Sequence, residues 1–208
     1  MYQGEKFNSI SHLIGSVFAL IGMGALLTVS IKHQDPWMIT SFSVFGGSLI
    51  LLYTMSTLYH SFSVPKVKKL FQKMDHLSIY LLIAGTYTPY MLVSLREGNG
   101  PMMLAAVWVL AITGIILELC FTKRNEKIQV FIYLLMGWLV VFEWSSLKAV
   151  ISASGLMWLT AGGLAYSLGV IFYILDHKDK LRHGHGIWHL FVLLGSLCHF
   201  ISIIVYVR

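Results

Sequence analysis

The sequence predicts an all-α membrane protein, a polytopic bundle of seven transmembrane helices, on three observations. Seven apolar runs, at about residues 10–31, 37–62, 77–95, 101–121, 128–147, 154–175 and 186–207, each have about the 17–25 residues that a helix needs to cross a hydrocarbon core. The 208-residue chain is 57% hydrophobic and only 12% charged, with a mean hydropathy of +0.75, a composition foreign to soluble domains. The runs are long and continuously apolar, without the period-2 alternation of an outer-membrane barrel.

Taken in order, the first run follows an arm carrying Glu5, Lys6 and Asn8 and includes His12 and the pair Gly22/Gly24. It is too long for the apolar stretch of a cleavable signal and lacks a small-residue cleavage site, so it is expected to remain as the first span. The second contains Gly46/Gly47 and ends on Ser56 and His60, and the third follows Asp75 and contains G-T-Y-T-P at 85–89. The fourth carries Glu118 and Cys120, the fifth Glu143, and the sixth Gly162/Gly163. His185 and His189 open the seventh, with Cys198 and His199 beyond. Short connections make sequential helices neighbours and leave no room for a soluble module, so residues 1–208 are read as one integral membrane domain. Neither cysteine belongs to a CxxC pair, and both are expected to be structural thiols.

Orientation follows from the positive-inside rule. Lys6, Lys66, Lys68, Lys69, Lys73, Lys123, Arg124, Lys127, Lys178, Lys180 and Arg182 make 11 basic residues on one side, against the 4 residues Lys32, Arg96, Lys148 and Arg208 on the other. With seven spans this predicts a cytoplasmic N-terminus and an external C-terminus. His60, Asp75, His185, His189, Glu5, Asn8, His12 and Glu118 are then all expected at the cytoplasmic end. The same rule accounts for the net charge of +6, so nucleic acid is not expected as a partner; membrane lipids are, with anionic headgroups near residues 66–73.

His185 and His189, four apart, share a helix face one turn apart, as a metal clamp requires. The pair alone equally suits an interfacial helix end. His60 on another span brings the set to the three protein nitrogens common at catalytic zinc sites, and imidazole suits zinc without redox chemistry. Ser56 shares the face of His60, where its hydroxyl can meet a ligand or substrate or bond its own helix carbonyl. Asp75, read as opening the third helix, can cap it, hold water at a metal, or both. His76 points about 100° away, so Asp75 is expected to face the centre. Glu5, Asn8 and His12 align at i, i+3 and i+7, either as an interfacial helix start or as a polar stripe facing protein or trapped water. His199 lies about 15 Å beyond His189 along the helix, too far for the same ion, and is read as part of a cavity wall. Pro89 predicts a kink unless neighbours satisfy the freed carbonyl. The glycine pairs suit close helix approach. Glu143 has no legible role.

Together, E-x2-N-x3-H at Glu5, Asn8 and His12, S-x3-H at Ser56 and His60, Asp75, and H-x3-H at His185 and His189 with His199 beyond resemble the haemolysin III branch of the progestin and adipoQ receptor family. The resemblance spans essentially the whole chain. It implies seven helices with the N-terminus inside, and a zinc ion near the cytoplasmic surface held by His60, His185 and His189. Asp75 would contact the zinc-bound water and Ser56 would sit beside the site. The chain lacks the long N-terminal extension of the animal receptors, which argues against hormone recognition and for a bacterial member in the plasma membrane.

The leading functional expectation is a metal-dependent hydrolase of a lipid-like amide or ester, with Asp75 and Ser56 as the catalytic candidates. It rests partly on the link of similar family members to ceramide hydrolysis. The alternative is a non-enzymatic sensor or regulator of membrane state with a structural zinc. A third, a pore-forming cytolysin, fits poorly with seven uninterrupted spans.

Overall fold

The computed structural model describes residues 4–120, 126–178, 180–181 and 183–208; Phe121 at the end of the fourth run and Lys123, Arg124 and Arg182 of the charge count lie outside the described residues. Among the described residues every regular element is helical, and seven segments are long and apolar enough to cross a membrane. They are α1 (Lys6–His33), α2 (Pro36–Ser61), α3 (Pro65–Pro89) continued by a π-turn, α4 (Gly100–Cys120), a broken span of α5 (Glu126–Trp138) and α6 (Trp144–Val150), α7 (Ala153–His177) and α8 (Gly184–Tyr206).

Helix starts follow local chemistry. Asp35 caps α2, its Oδ1 accepting the Trp37 N–H at 2.9 Å, and Pro36 takes the first helical position, where its missing N–H and fixed φ cost nothing. Ser152 caps α7 through the Gly155 N–H at 3.3 Å.

Burial runs opposite to that of a soluble protein. The buried residues of α1 begin Ser9, Ser11, His12, Gly15, Ser16 and Ala19, while Ile10, Leu13, Ile14, Val17 and Phe18 are exposed. Lipid tails are as apolar as leucine, so small and polar residues gain most from the helix interface, through close backbone approach and hydrogen bonds. Helix α8 packs on both α7 and α1, closing the bundle. The most deeply buried spans are α2 and α3, and the α5–α6 span is the least buried. Gly162 shows the close approach its type allows, since a Cβ there would lie 2.3 Å from the His199 ring.

Three features depart from the sequence reading. The stretch between the second and third apolar runs is helical from Pro65 onward, so Asp75 lies ten residues inside α3, and the N-cap is Val64. Pro65 starts that helix and the Lys, Leu and Gln residues that follow sustain it; hydropathy marks only where a span turns apolar, and the helix begins earlier. The Asp75 cap reading is therefore corrected.

At Pro89 the expected kink takes the form of a π-turn over Tyr90–Ser94, closed by the Leu95 N–H on the Tyr90 carbonyl at 3.0 Å. The fifth span, read as one run, breaks into a 3-10 turn at Leu139–Glu143. The Tyr87 hydroxyl fills the break. It accepts the Val140 N–H at 2.7 Å and reaches the Met136 and Gly137 carbonyls at 2.8 and 3.0 Å, supplying the partners that lipid cannot.

Candidate metal centre

The helix ends do meet. His60 from the last turn of α2 and His185 and His189 from the first turns of α8 bring one nitrogen each within 4.8 Å of one another. His60 and His189 are fully buried, and the three ring centroids lie 4.8 to 5.0 Å apart.

Each ring is held from behind. The His60 Nδ1–H donates to Glu5 Oε2 at 2.7 Å. His189 Nδ1 lies 3.2 Å from the Asn8 carbonyl, an acceptor only, so this nitrogen carries the proton; Ser11 Oγ is also at 3.2 Å. His185 Nδ1 faces Asp176 Oδ2 at 3.9 Å, beyond hydrogen-bond range but within reach of its charge. The three Nε2 atoms are buried with no hydrogen-bond partner among the described residues.

An orphaned buried nitrogen is costly, and three buried Nε2 atoms, two of whose rings hold their opposite nitrogen on a carboxylate or carbonyl acceptor while the third faces a carboxylate at longer range, form an arrangement that metal-ligating histidines adopt. The donor set therefore fits a metal ion.

Glu5 is the hub of the support. Its carboxylate also accepts from Lys68 Nζ and Asn8 Nδ2, both at 2.9 Å. Burial alone would raise its pKa, but the hydrogen bonds from His60, Lys68 and Asn8 outweigh burial and hold the group well below the usual carboxylate range. His12, whose role the sequence left open, stacks on His189 with centroids 3.6 Å apart and planes 10° from parallel. Both its ring nitrogens are buried without a partner among the described residues.

Two adjoining cavities lie near this centre, and His60 and His185 line the first of them. One, of about 410 Å³, is polar and bounded by Glu5, His60, His76, Asp176 and His185. The other, of about 400 Å³, is largely apolar and runs between α2, α3, α5, α7 and α8, past Leu82, Met91, Leu159 and Val192. Asp75, Ile79, Tyr133, Val170 and Trp188 line both.

Asp75 is thus buried in the wall between the cavities, outside the group of atoms within 4.8 Å. Ser56 is buried in the apolar wall with His12 and His199. Of the two neighbours Asp75 alone also lines the apolar cavity inside the bundle, while His76 lines the polar cavity and its Nδ1 lies 3.9 Å from Glu118 Oε1. Glu143 is buried far along the fifth span, where its Oε2 accepts the Ser146 hydroxyl at 2.8 Å. Cys120 and Cys198 are free thiols.

Seven spans with a histidine triad buried beside a polar cavity, which shares the wall of Asp75 and Trp188 with an apolar one, define a multi-pass membrane protein with a candidate metal centre inside the bundle. Known proteins resemble the chain in sequence along most of its length. A sequence model of the family described as "Haemolysin-III related" matches residues 1–200, and the chain belongs to that family. It is 43% identical to Hemolysin-3 of Bacillus cereus, over 98% of this chain and 91% of that protein. It is 41% identical to the Hemolysin-3 homolog of Bacillus subtilis (strain 168), over 97% and 93%. With the human monocyte to macrophage differentiation factor the identity is 31%, over 94% and 81%. The bacterial relatives imply the cell membrane as its location.

Proposed function

We propose that this protein is a zinc-dependent intramembrane hydrolase of a lipid-like amide or ester, acting at the cytoplasmic end of the bundle. The observation that carries the reading is the junction itself: three converging Nε2 atoms with a carboxylate, Asp75, in the wall shared by a polar and an apolar cavity. An amphiphile would lie across that wall, its acyl chain in the apolar cavity and its head group in the polar one, with the linking bond beside Asp75. Zinc held by His60, His185 and His189 would supply Lewis acidity toward a carbonyl oxygen and make water nucleophilic near neutral pH. Asp75 accepts the proton of the attacking water and returns it to the departing amine or alcohol as the carbon–nitrogen or carbon–oxygen bond breaks. Ser56 and His12 present a hydroxyl and an imidazole to the polar link from the apolar side. Outside the bundle, Lys66, Lys69 and Lys73 contact anionic headgroups, each worth about 1 kcal/mol near the surface.

Asp75→Asn keeps the shape and loses the base. Metal content is expected to stay close to wild type while release of fatty acid from a panel of long-chain amides and esters falls by at least about tenfold. Wild type releasing no more fatty acid than His189→Ala on every substrate would end the hydrolase reading. The second reading, a regulator of membrane state with a structural metal, is favoured by the way the centre and its supports join α1, α2, α3 and α8 through Glu5, Lys68, Asn8 and the triad. It predicts that chelation lowers the unfolding midpoint without any turnover to abolish.

A further inference from the structure

Among the polar groups of the apolar cavity that hydrolysis at the triad leaves unused are the Tyr90 hydroxyl and the His199 imidazole, and only the second is ionisable near neutral pH. His199 lies in the cavity wall, buried, and Nδ1 has no hydrogen-bond partner among the described residues. A polar group buried without a partner is destabilising, and an ionisable side chain facing an intramembrane cavity marks a ligand position. The neighbourhood is built to hold the ring. It stacks on Tyr166 with centroids 5.5 Å apart and planes 22° from parallel, and Gly162 leaves the room, since a Cβ there would come within 2.3 Å of Cδ2 and 2.5 Å of Nε2. The nearby hydroxyls are occupied with one another: those of Tyr53 and Tyr166 both bond Ser196 Oγ, at 2.6 and 2.8 Å. Beside the Tyr90 hydroxyl, also unpartnered among the described residues, the His199 imidazole remains as an uncommitted donor and acceptor in a chamber lined mainly by apolar side chains.

Its depth is informative. Ten residues of α8 separate it from His189, about 15 Å along the helix, or half of a hydrocarbon core about 30 Å thick. We propose that the cavity takes a lipid whose chain carries a hydroxyl group far from its head, and that His199 seats that hydroxyl. The inference rests on the hydrolase reading only for the direction of the chain, with the head at the triad.

The test is equilibrium binding, which needs no turnover. Purified metal-loaded protein in detergent is titrated with stearic acid and with its analogues hydroxylated beside the carboxyl, at mid-chain and at the terminal carbon. Each is measured on wild type, His199→Phe and His199→Gln. The ratio of hydroxylated to parent affinity cancels detergent partitioning, and comparison across variants isolates the coupling between the hydroxyl and residue 199. For the mid-chain or terminal hydroxyl, the ratio is expected to fall about three- to tenfold from wild type to His199→Phe, as the loss of one hydrogen bond requires. His199→Gln should keep part of it, and the hydroxyl beside the carboxyl should show no coupling. Metal content should be unchanged in both variants. An unchanged ratio in His199→Phe overturns the proposal, as does wild type that binds none of these acids. Coupling without hydrolysis of any lipid would leave His199 as a hydroxyl site in a binding protein and remove the hydrolase reading alone.

Discussion

Glu5 offers the sharpest test of how the centre is built, because it touches no converging nitrogen yet orients one of them. Its bond to His60 Nδ1 is 2.7 Å long and charge-assisted, and the carboxylate is itself fixed by Lys68 and Asn8. Glu5→Ala removes all three bonds and frees the His60 ring to rotate its Nε2 out of the triad. Loss of such a supporting contact lowers metal affinity about 10–100-fold, or about 1.4–2.7 kcal/mol. Glu5→Gln retains a neutral acceptor for the imidazole, and charge-assisted bonds are about twice as strong as neutral ones, so a loss of about three- to tenfold is expected. Asn8→Ala should do least, because the contact it gives His189 comes from its backbone carbonyl. Zinc affinity is read by competition with a chromophoric chelator in detergent, and the absorption bands of the cobalt-substituted protein report ligand geometry independently. Wild-type affinity and an unchanged cobalt spectrum in Glu5→Ala would refute the claim that this carboxylate positions His60.

Purified wild type is expected to hold about one zinc per chain; alanine at His60, His185 or His189 should remove most of it and His33→Ala should not, with equal content in all four variants refuting the triad. Reporters fused after Arg208 and inserted at residues 62–64 should lie on opposite sides, external and cytoplasmic respectively, and finding both on one side would contradict the orientation drawn from the basic residues. Tyr87→Phe removes the hydroxyl that bridges the break in the fifth span; at the values typical of helix–helix hydrogen bonds in membranes the loss is about 0.6–2 kcal/mol. That should lower the detergent fraction needed for unfolding while metal content stays constant, and an unshifted transition would show that other groups hold the break.

The seven spans and the triad were legible because each rests on a local signal. Hydropathy over about twenty residues reports a crossing, and a crossing of known direction brings His60 and His185 to the same end. The i, i+4 spacing then does the rest for His189. What was hidden depends on pairs distant in sequence. Glu5 and His60 are separated by 55 positions, and nothing in the Glu5, Asn8, His12 stripe says which neighbour each will meet. The stack of His12 on His189 was likewise unreadable, since the stripe left open whether His12 faces protein or the interface. The early start of α3 was missed because apolarity was taken to mark the helix, whereas Pro65 and the lysine-rich turns after it form helix without being apolar. The break at Leu139–Glu143 left no proline or clear composition change behind, since the compensating hydroxyl belongs to Tyr87 on another helix.

The same long-range origin of the centre bears on the order in which the molecule is made. Glu5 and Asn8 lie at the start of α1 and His60 on α2, but His185 and His189 sit on α8, far later in the chain. During synthesis the helices before α8 must wait in the bilayer with two of the three histidines missing, until α8 arrives and docks between α1 and α7. Contacts so far apart in the chain form late and slowly, so a chain cut short before Gly184 has no triad to complete. Tight metal capture thereby becomes a mark of finished assembly, and an ion bound by α2 and α8 together would act as a clasp against the reopening of the ring.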